Sequence, residues 1–171
     1  RGLVGSEMCI RDSDNAFAII QGLETVALRM KQHCENAQKV VNFLKTHDEV
    51  TKVIYSTEHE KTIADRASKY LKGGNGPMVG IELKGGIEAG KKFIESLKMF
   101  YHVANIGDAR SLAIHPASTT HSQLNENELK ASGVTQSYVR LCIGLEHIDD
   151  IIDDLEQALN KASKRDLKAV S

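Results

Sequence analysis

The chain has 171 residues, of which 41% are hydrophobic, so it is long enough to bury the core of one domain. Its 22 basic and 23 acidic residues give a net charge of −1, which excludes the basic surface of a nucleic-acid-binding protein and a polybasic membrane patch. No apolar run approaches the roughly 20 residues that cross a bilayer, so we expect neither nucleic acid nor membrane as a partner.

Three cysteines, Cys9, Cys34 and Cys142, lie far apart and form no C-x-x-C pair. An odd number of scattered cysteines is typical of free thiols in a reducing compartment rather than of a disulfide framework. We therefore expect a cytoplasmic protein.

The first 13 residues, RGLVGSEMCIRDS, show no clear periodicity, and their apolar stretch is too short for a signal peptide. The stretch GLVGSEMCIRDS matches the translation of a common sequencing-library transposon adapter. We therefore expect residues 1–13 to be non-native and the native sequence to begin near Asp14, with further protein encoded upstream.

Residues 14–47 are predicted to form one long connecting helix or two abutting helices. Apolar residues recur there at steps of four and three, and this predicts a buried stripe. The stripe consists of Met30, Cys34, Ala37, Val41 and Leu44.

Strands and helices alternate over residues 48–163, which we interpret as one domain. In chain order they are a strand at 50–55, a helix through 63–71, a strand at 79–83, a helix through 87–97, an extended segment at 101–106, a strand at 111–114, a short helix at 126–131, a strand at 138–143 and a last helix through 148–162. This order predicts an α/β (α+β) sandwich with a mainly antiparallel sheet of about four strands covered by helices. Residues 164–171 lose the pattern and are predicted to form a tail.

Two local patterns refine this prediction. Asn125 followed by Glu128 resembles a capping box and predicts a helix start. In the last helix, acidic residues repeat at helical spacing, which is typical of a solvated face; they are Asp149, Asp150, Asp153, Asp154 and Glu156.

Arg140 is the first candidate for chemistry. Side chains alternate along a strand, so Val139, Leu141 and Ile143 share one face while Arg140 lies on the other. A guanidinium can bind a carboxylate or phosphate through two parallel hydrogen bonds. Taken alone, the pattern is more often explained by an exposed or structurally paired arginine.

Ser111 is the second candidate. Alternation over 111–114 predicts that Leu112 and Ile114 point into the core, while Ser111 and Ala113 lie on the opposite face. Ser111 would then be free to bind a ligand, and a solvated strand hydroxyl is the alternative.

The run HPASTTHSQ at 115–123 is rich in hydroxyls and contains His115 and His121. A zinc site needs three or four ligands, and no partners occur at familiar spacing. No G-x-S-x-G elbow is present either. We therefore expect no metal site and no nucleophile, but a loop held by its own side chains.

Three segments carry a family resemblance: GLETVALRM at 22–30, ANIGDARSLAIHPASTTHSQL at 104–124 and YVRLCIGLEHIDDIIDDLEQAL at 138–159. They resemble the C-terminal domain of the pyridoxal-phosphate (PLP) enzymes of cysteine and methionine metabolism. The patterns SL-x-x-HPAS-x-TH and R-x-x-x-G-x-E are specific to that family, and STTHSQL with G-x-EHIDDI favours its sulfhydrylase branch.

The resemblance implies the small C-terminal domain of a fold-type-I PLP-dependent transferase. The cofactor and its Schiff-base lysine are then expected in a larger upstream domain, because this chain has no S-x-T-K motif. We expect no catalytic, cofactor-binding or metal-binding residue here. By the matching motif, Arg140 is implied to clamp the α-carboxylate of the amino-acid substrate, with Ser111 in the same pocket and Leu112 lining it. Cys142 stands where serine is usual.

For the intact enzyme, the resemblance implies replacement of the acetate of O-acetylhomoserine by sulfide to give homocysteine. The implied partners are the amino-acid substrate, sulfide and further copies of the chain in a homotetramer or dimer. This chain alone is expected to be inactive. The alternatives are a methionine γ-lyase or a cystathionine γ-synthase or lyase of the same family, or a non-catalytic ligand-binding domain.

Overall fold

The computed structural model describes residues 13–58 and 60–163. The predicted tail at 164–171 lies outside the described residues, as does the predicted adapter segment apart from Ser13, so both stay predictions. None of the described helices combines the length and the apolar character needed to span a membrane.

Two abutting helices open the fold, as predicted: α1 (Ser13–Glu24) and α2 (Val26–Thr46). The buried stripe of α2 differs from the predicted one, since Met30 is 38% exposed and Cys34 is only partly buried. Steps of three and four instead connect the buried residues His33, Asn36, Ala37, Val40, Val41 and Leu44. Two polar residues therefore belong to the face that packs on the domain.

Five strands form one sheet: β1 (Val50–Ile54), β2 (Met78–Leu83), β3 (Tyr101–His102), β4 (Leu112–Ile114) and β5 (Tyr138–Cys142). Their spatial order is β1-β2-β5-β4-β3. All neighbours are antiparallel except β3 and β4, which are parallel. The predicted, mainly antiparallel sheet is confirmed, and the segment predicted to be extended at 101–106 contributes a fifth strand of two residues at the edge.

The remaining helices are α3 (Lys61–Tyr70), α4 (Gly86–Ser96), α5 (Glu126–Ala131) and α6 (Ile148–Ser163), with a 3-10 turn at Pro116–Ser118. The predicted capping box begins α5: Asn125 Oδ1 accepts a hydrogen bond from the Glu128 amide at 3.0 Å, and Glu128 Oε2 accepts one from the Asn125 amide at 2.8 Å.

Helices α2, α4 and α6 cover one face of the sheet. The core side chains come from these helices and from alternate residues of the central strands β2 and β5, among them Val79, Ile81, Val139, Leu141, Phe93 and Leu155. Burying such side chains is worth roughly 1.5–3 kcal/mol each, which is the main stabilising term of the fold. Helix α3 buries only Ala67, so the apolar face predicted for it is mostly exposed.

The inward face of β4 was predicted wrongly. Ala113 pairs with Leu141 and lies in the helix-covered core, whereas Ile114 pairs with Arg140 and faces the other way. Directly paired residues of antiparallel strands point to the same side. The register with β5 therefore decides the face, and it places Leu112 and Ile114 beside Arg140.

The structure also differs from the prediction at Asp154. This residue is only 6% exposed, although it was predicted to lie on a solvated helix face. Its carboxylate accepts hydrogen bonds from the backbone amides of Lys98 at 2.9 Å, Met99 at 2.8 Å and Phe100 at 3.3 Å. These three amides form the connection between α4 and β3. The carboxylate thereby fastens that connection to α6.

We expect Asp154→Ala to lower the free energy of unfolding by at least about 1–3 kcal/mol, because it leaves buried amides without an acceptor. Urea denaturation measures the change. Asp153→Ala is the matched control, since Asp153 is the exposed neighbour on the same helix. Equal stability of the two variants would contradict the role given to Asp154.

Candidate functional site

The face of the sheet opposite α2, α4 and α6 carries Arg140 at its centre. Arg140 lies in the middle of β5, directly across from Gly80 in β2 and from Ile114 in β4. The residue as a whole is partly buried. Within the described part of the chain, no carboxylate forms an ion pair with it.

A cleft of about 370 Å³ opens beside Arg140. It lies between the sheet face and the segments that follow β1, and it is lined by Ile54, Tyr55, Ser56, Ile63, Asn75, Met78, Val79, Gly80, Tyr138 and Arg140. Arg140 is the one charged side chain of this lining. Because a partly buried charge without a counter-charge is unfavourable, the cleft is suited to an anion.

A larger groove of about 860 Å³ lies beside α4 and the end of α6. Its lining mixes lysines with glutamates, and Lys91 already bonds Glu88 at 2.9 Å. Because this groove carries charges of both signs, it does not favour a ligand of one charge. We therefore place the site at the Arg140 cleft.

Ser111 does not share the surroundings of Arg140. Its hydroxyl donates to Glu146 Oε2 at 2.9 Å and accepts from the Gly144 amide at 2.9 Å, while its own amide donates to Glu146 Oε1 at 2.7 Å. The side chain is fully buried in these contacts. The structure thus does not bring the Ser111 hydroxyl to the cleft, and Ser111 as a substrate-binding residue stays a prediction.

Leu112 lies on the same side of the sheet as Arg140, buried and paired with Cys142. It is not among the residues that line the cleft, so its pocket-lining role also stays a prediction. Burial raises the pKa of the Cys142 thiol, which therefore remains protonated at neutral pH.

The turn after β5 is held by residues whose role was not predicted from the sequence. Asn36 donates from its side-chain amide to the carbonyls of Gly144 at 3.1 Å and Glu146 at 3.0 Å. His33 Nδ1 lies 2.7 Å from the Ile143 carbonyl and donates to it. Together with the Glu146 carboxylate, these contacts tie α2, the end of β5 and the start of β4 to one point.

Gly144 is required at this point by close approach. A Cβ there would lie 2.5 Å from the backbone carbon of Arg110 and from the Ser111 nitrogen, and it would also collide with the Glu146 carboxylate. The R-x-x-x-G-x-E pattern therefore combines one residue of the cleft, Arg140, with the glycine and glutamate that fix the end of its strand. Glu146 could have been identified from this sequence pattern as a residue that supports the site.

The loop at 115–123 is held by its own side chains, as expected. His115 is fully buried, with Nδ1 2.8 Å from Ser118 Oγ and Nε2 2.8 Å from the Gln136 carbonyl, and its ring packs against Gly90 of α4. His121 bonds Thr120 instead. Among the described residues, no group of three His, Cys, Asp or Glu side chains could hold a metal ion.

The model of the family described as "Cys/Met metabolism PLP-dependent enzyme" matches residues 5–160. The chain belongs to this family. The match begins within the segment predicted to be adapter-derived, and the boundary of native sequence stays a prediction.

Characterised members of the family are similar over most of the chain. The O-acetyl-L-homoserine sulfhydrylase of Leptospira meyeri is 51% identical over 146 residues, which are 85% of this chain and 33% of that protein. The L-methionine gamma-lyase of Fusobacterium nucleatum is 41% identical over 160 residues, which are 94% of this chain and 40% of that protein. The chain thus spans about a third to two fifths of these relatives.

A solved structure shows the same fold. The crystal structure of a Campylobacter jejuni protein assigned as an O-acetylhomoserine (thiol)-lyase, which contains a pyridoxyl-lysine 5′-monophosphate residue, superposes with a TM-score of 0.79. It is 42% identical in sequence, and the match covers 86% of this chain and 35% of that one. The family is PLP-dependent.

The Arg140 cleft offers no group that could hold PLP through a Schiff base. A Schiff base needs a lysine, and no lysine occurs among the residues that line the cleft. Arg140, in contrast, has no counter-charge among the described residues, and its planar guanidinium can bind a carboxylate through two parallel hydrogen bonds.

We expect Glu146→Ala to lower the free energy of unfolding by at least about 1–3 kcal/mol, because the Ser111 amide and hydroxyl lose their acceptor. Thermal and urea denaturation measure the change. Glu156→Ala, at an exposed position of α6, is the control and should stay close to wild type. Wild-type stability of Glu146→Ala would show that the turn is held without the carboxylate.

We also expect His115 to make stability pH-dependent. Burial, the largest cause, lowers the pKa of His115 below its ordinary value of 6.5, so below about pH 6.5 the unfolded state binds the proton more readily. The stability supplied by neutral His115 is then present above about pH 6.5 and is lost as the pH falls through the lower, folded-state pKa. Melting temperatures recorded from about pH 8 to 5 should fall less steeply for His115→Gln than for wild type.

His121→Gln serves as the control for that series, because His121 is only partly buried. It should keep the wild-type slope. If His115→Gln also kept the wild-type slope, His115 would be excluded as the source of the pH dependence of the melting temperature.

Proposed function

We propose that this chain is the part of an O-acetylhomoserine sulfhydrylase that binds the α-carboxylate of the amino-acid substrate. The intact enzyme would replace the acetate of O-acetylhomoserine by sulfide and release homocysteine. The observation that carries this proposal is Arg140, a partly buried arginine at the centre of the sheet face opposite α2, α4 and α6, without a carboxylate partner among the described residues.

Arg140 would hold the substrate by two parallel hydrogen bonds to its carboxylate. Such a clamp fixes the orientation of the amino acid around its Cα, and orientation of this kind can contribute several kcal/mol to lowering a reaction barrier. The apolar side chains of Ile54, Ile63 and Met78 in the cleft would exclude water from the bound group. PLP, when bound, supplies the electron sink for chemistry at the substrate carbons.

The sulfhydrylase assignment is supported by relatives with that name at 51%, 45% and 46% identity and by the fold of the Campylobacter jejuni protein. A methionine γ-lyase is the second candidate, because a relative with that name covers 94% of this chain. Both activities would act on an amino acid with an α-carboxylate, but only the sulfhydrylase would take sulfide as a second substrate. Homocysteine formation that depends on added sulfide would favour the first.

The cofactor lysine would lie in the part of the protein outside this chain. Large apolar side chains of α1 and the start of α2 support this proposal, since Phe17, Leu23 and Leu28 are 64%, 62% and 72% exposed. A group of exposed large apolar side chains is typical of a surface covered by other protein. A homotetramer or dimer in the cytoplasm completes the proposal.

In the full-length enzyme encoded at the source locus, we expect Arg140→Ala to weaken substrate binding by about 2–5 kcal/mol, because the substrate carboxylate is left buried without its partner. Steady-state kinetics with O-acetylhomoserine and sulfide measure KM and kcat/KM. Arg140→Lys keeps the charge but loses the planar fork, so it should fall between wild type and Arg140→Ala.

Lys161→Ala removes a positive charge at an exposed position of α6, outside the cleft, and serves as the control. It should retain the wild-type KM. A wild-type KM and kcat in Arg140→Ala would refute the carboxylate-binding role of the cleft.

A further inference from the structure

Two tyrosines line the Arg140 cleft, and their hydroxyls are in different situations. The Tyr55 hydroxyl donates to the Gly76 carbonyl at 2.9 Å and so belongs to the scaffold. The Tyr138 hydroxyl has no hydrogen-bond partner among the described residues. Tyr138 is partly buried and lies two residues before Arg140 on the same face of β5.

The ring of Tyr138 lies over Gly80. A Cβ on Gly80 would be 2.6 Å from Cε2 of the ring, 3.1 Å from Cζ and 2.9 Å from the hydroxyl oxygen. Any side chain at position 80 would therefore displace the ring. Glycine at this position lets the ring lean from its own cross-strand partner, Glu82, toward the middle of the sheet.

This placement brings the hydroxyl to the position on β2 that pairs with Arg140. Gly80 and Arg140 are directly paired across β2 and β5, and the Cβ positions of such a pair are about 4.5–5.5 Å apart. A hydroxyl 2.9 Å from the Cβ position of Gly80 thus lies within about 8 Å of the Arg140 Cβ, and both side chains line the same cleft.

The neighbouring charged groups form no hydrogen bond with the Tyr138 hydroxyl. Glu82, across from Tyr138, forms an ion pair with Lys52 at 4.0 Å. Burial raises the pKa of Tyr138, so the phenol stays protonated at neutral pH and remains a hydrogen-bond donor. Its chemistry complements that of the guanidinium, because a carboxylate offers about four acceptor sites and an arginine fork uses two.

We propose that Tyr138 is a second substrate-binding residue, whose hydroxyl donates a hydrogen bond to the α-carboxylate held by Arg140. This inference rests on the proposed function, in which that carboxylate occupies the cleft. Gly80 is then the positioning residue that makes room for the ring, and the strand pair of β2 and β5 sets the spacing of the two donors.

Tyr138→Phe in the full-length enzyme tests the proposal, because it removes the hydroxyl and keeps the ring over Gly80. We expect KM for O-acetylhomoserine to rise by about tenfold, as for the loss of one hydrogen bond to a charged group, while kcat and the melting temperature stay near wild type. Tyr70→Phe, at a 71% exposed position of α3, is the matched control and should leave KM unchanged.

The effect should also depend on Arg140. Both donors serve one carboxylate, so in an Arg140→Ala background the additional change in KM caused by Tyr138→Phe should differ clearly from tenfold. Equal and independent effects would assign the hydroxyl to another group of the substrate and would overturn the proposal.

Failure of this inference and failure of the proposed function give different results. If Arg140→Ala raises KM while Tyr138→Phe does not, the carboxylate site stands and Tyr138 only fills space above Gly80. If neither variant changes KM, the carboxylate does not bind in this cleft. A rise in KM that comes with a lower melting temperature in Tyr138→Phe would indicate a packing role and would also overturn the proposal.

Discussion

The carboxylate of Glu146 meets the amide and the hydroxyl of Ser111, and much of the domain depends on this contact. Charge-assisted hydrogen bonds of this kind are stronger than neutral ones, and here they join the chain after β5 to the start of β4. Asn36 and His33 add the long helix α2 to the same turn through three carbonyls. A local contact at the end of one strand thereby fixes a helix that is more than 100 positions away in sequence.

The consequence of that fixed register is a sheet with two unlike faces. On one side, Ala113 and Leu141 pack under the helices, and on the other, Ile114 and Gly80 flank Arg140. A helix packed over Arg140 would bury its charge without compensation, which is unfavourable by several kcal/mol unless an anion comes with it. The face that α2, α4 and α6 leave uncovered is therefore the face on which an anionic ligand is favoured. Structure and binding follow from the same alternation of side chains.

How far the sequence predicts this arrangement depends on the element. In β5, hydrophobic residues alternate with Tyr138 and Arg140, so the face of Arg140 was predicted correctly. In β4, all three residues are buried, and only pairing with β5 decides which side each takes. Asp154 and Asn36 have polar side chains whose partners are backbone groups far away in sequence, and no local pattern reports such contacts. The capping box of α5 was predicted because both of its partners lie within four residues.

The site itself is predictable in part for the same reason. Arg140 could be named from its place on a strand, whereas the relation between Tyr138 and Gly80 exists only once β2 lies beside β5. The missing side chain of Gly80 and the ring of Tyr138 form one arrangement, since each explains the other. Because the phenol remains protonated and the guanidinium remains charged at neutral pH, both groups can only donate hydrogen bonds to an anion. The cleft has two hydrogen-bond donors on one wall and no carboxylate in its lining. It therefore favours a ligand group that only accepts hydrogen bonds, such as the carboxylate of an amino acid.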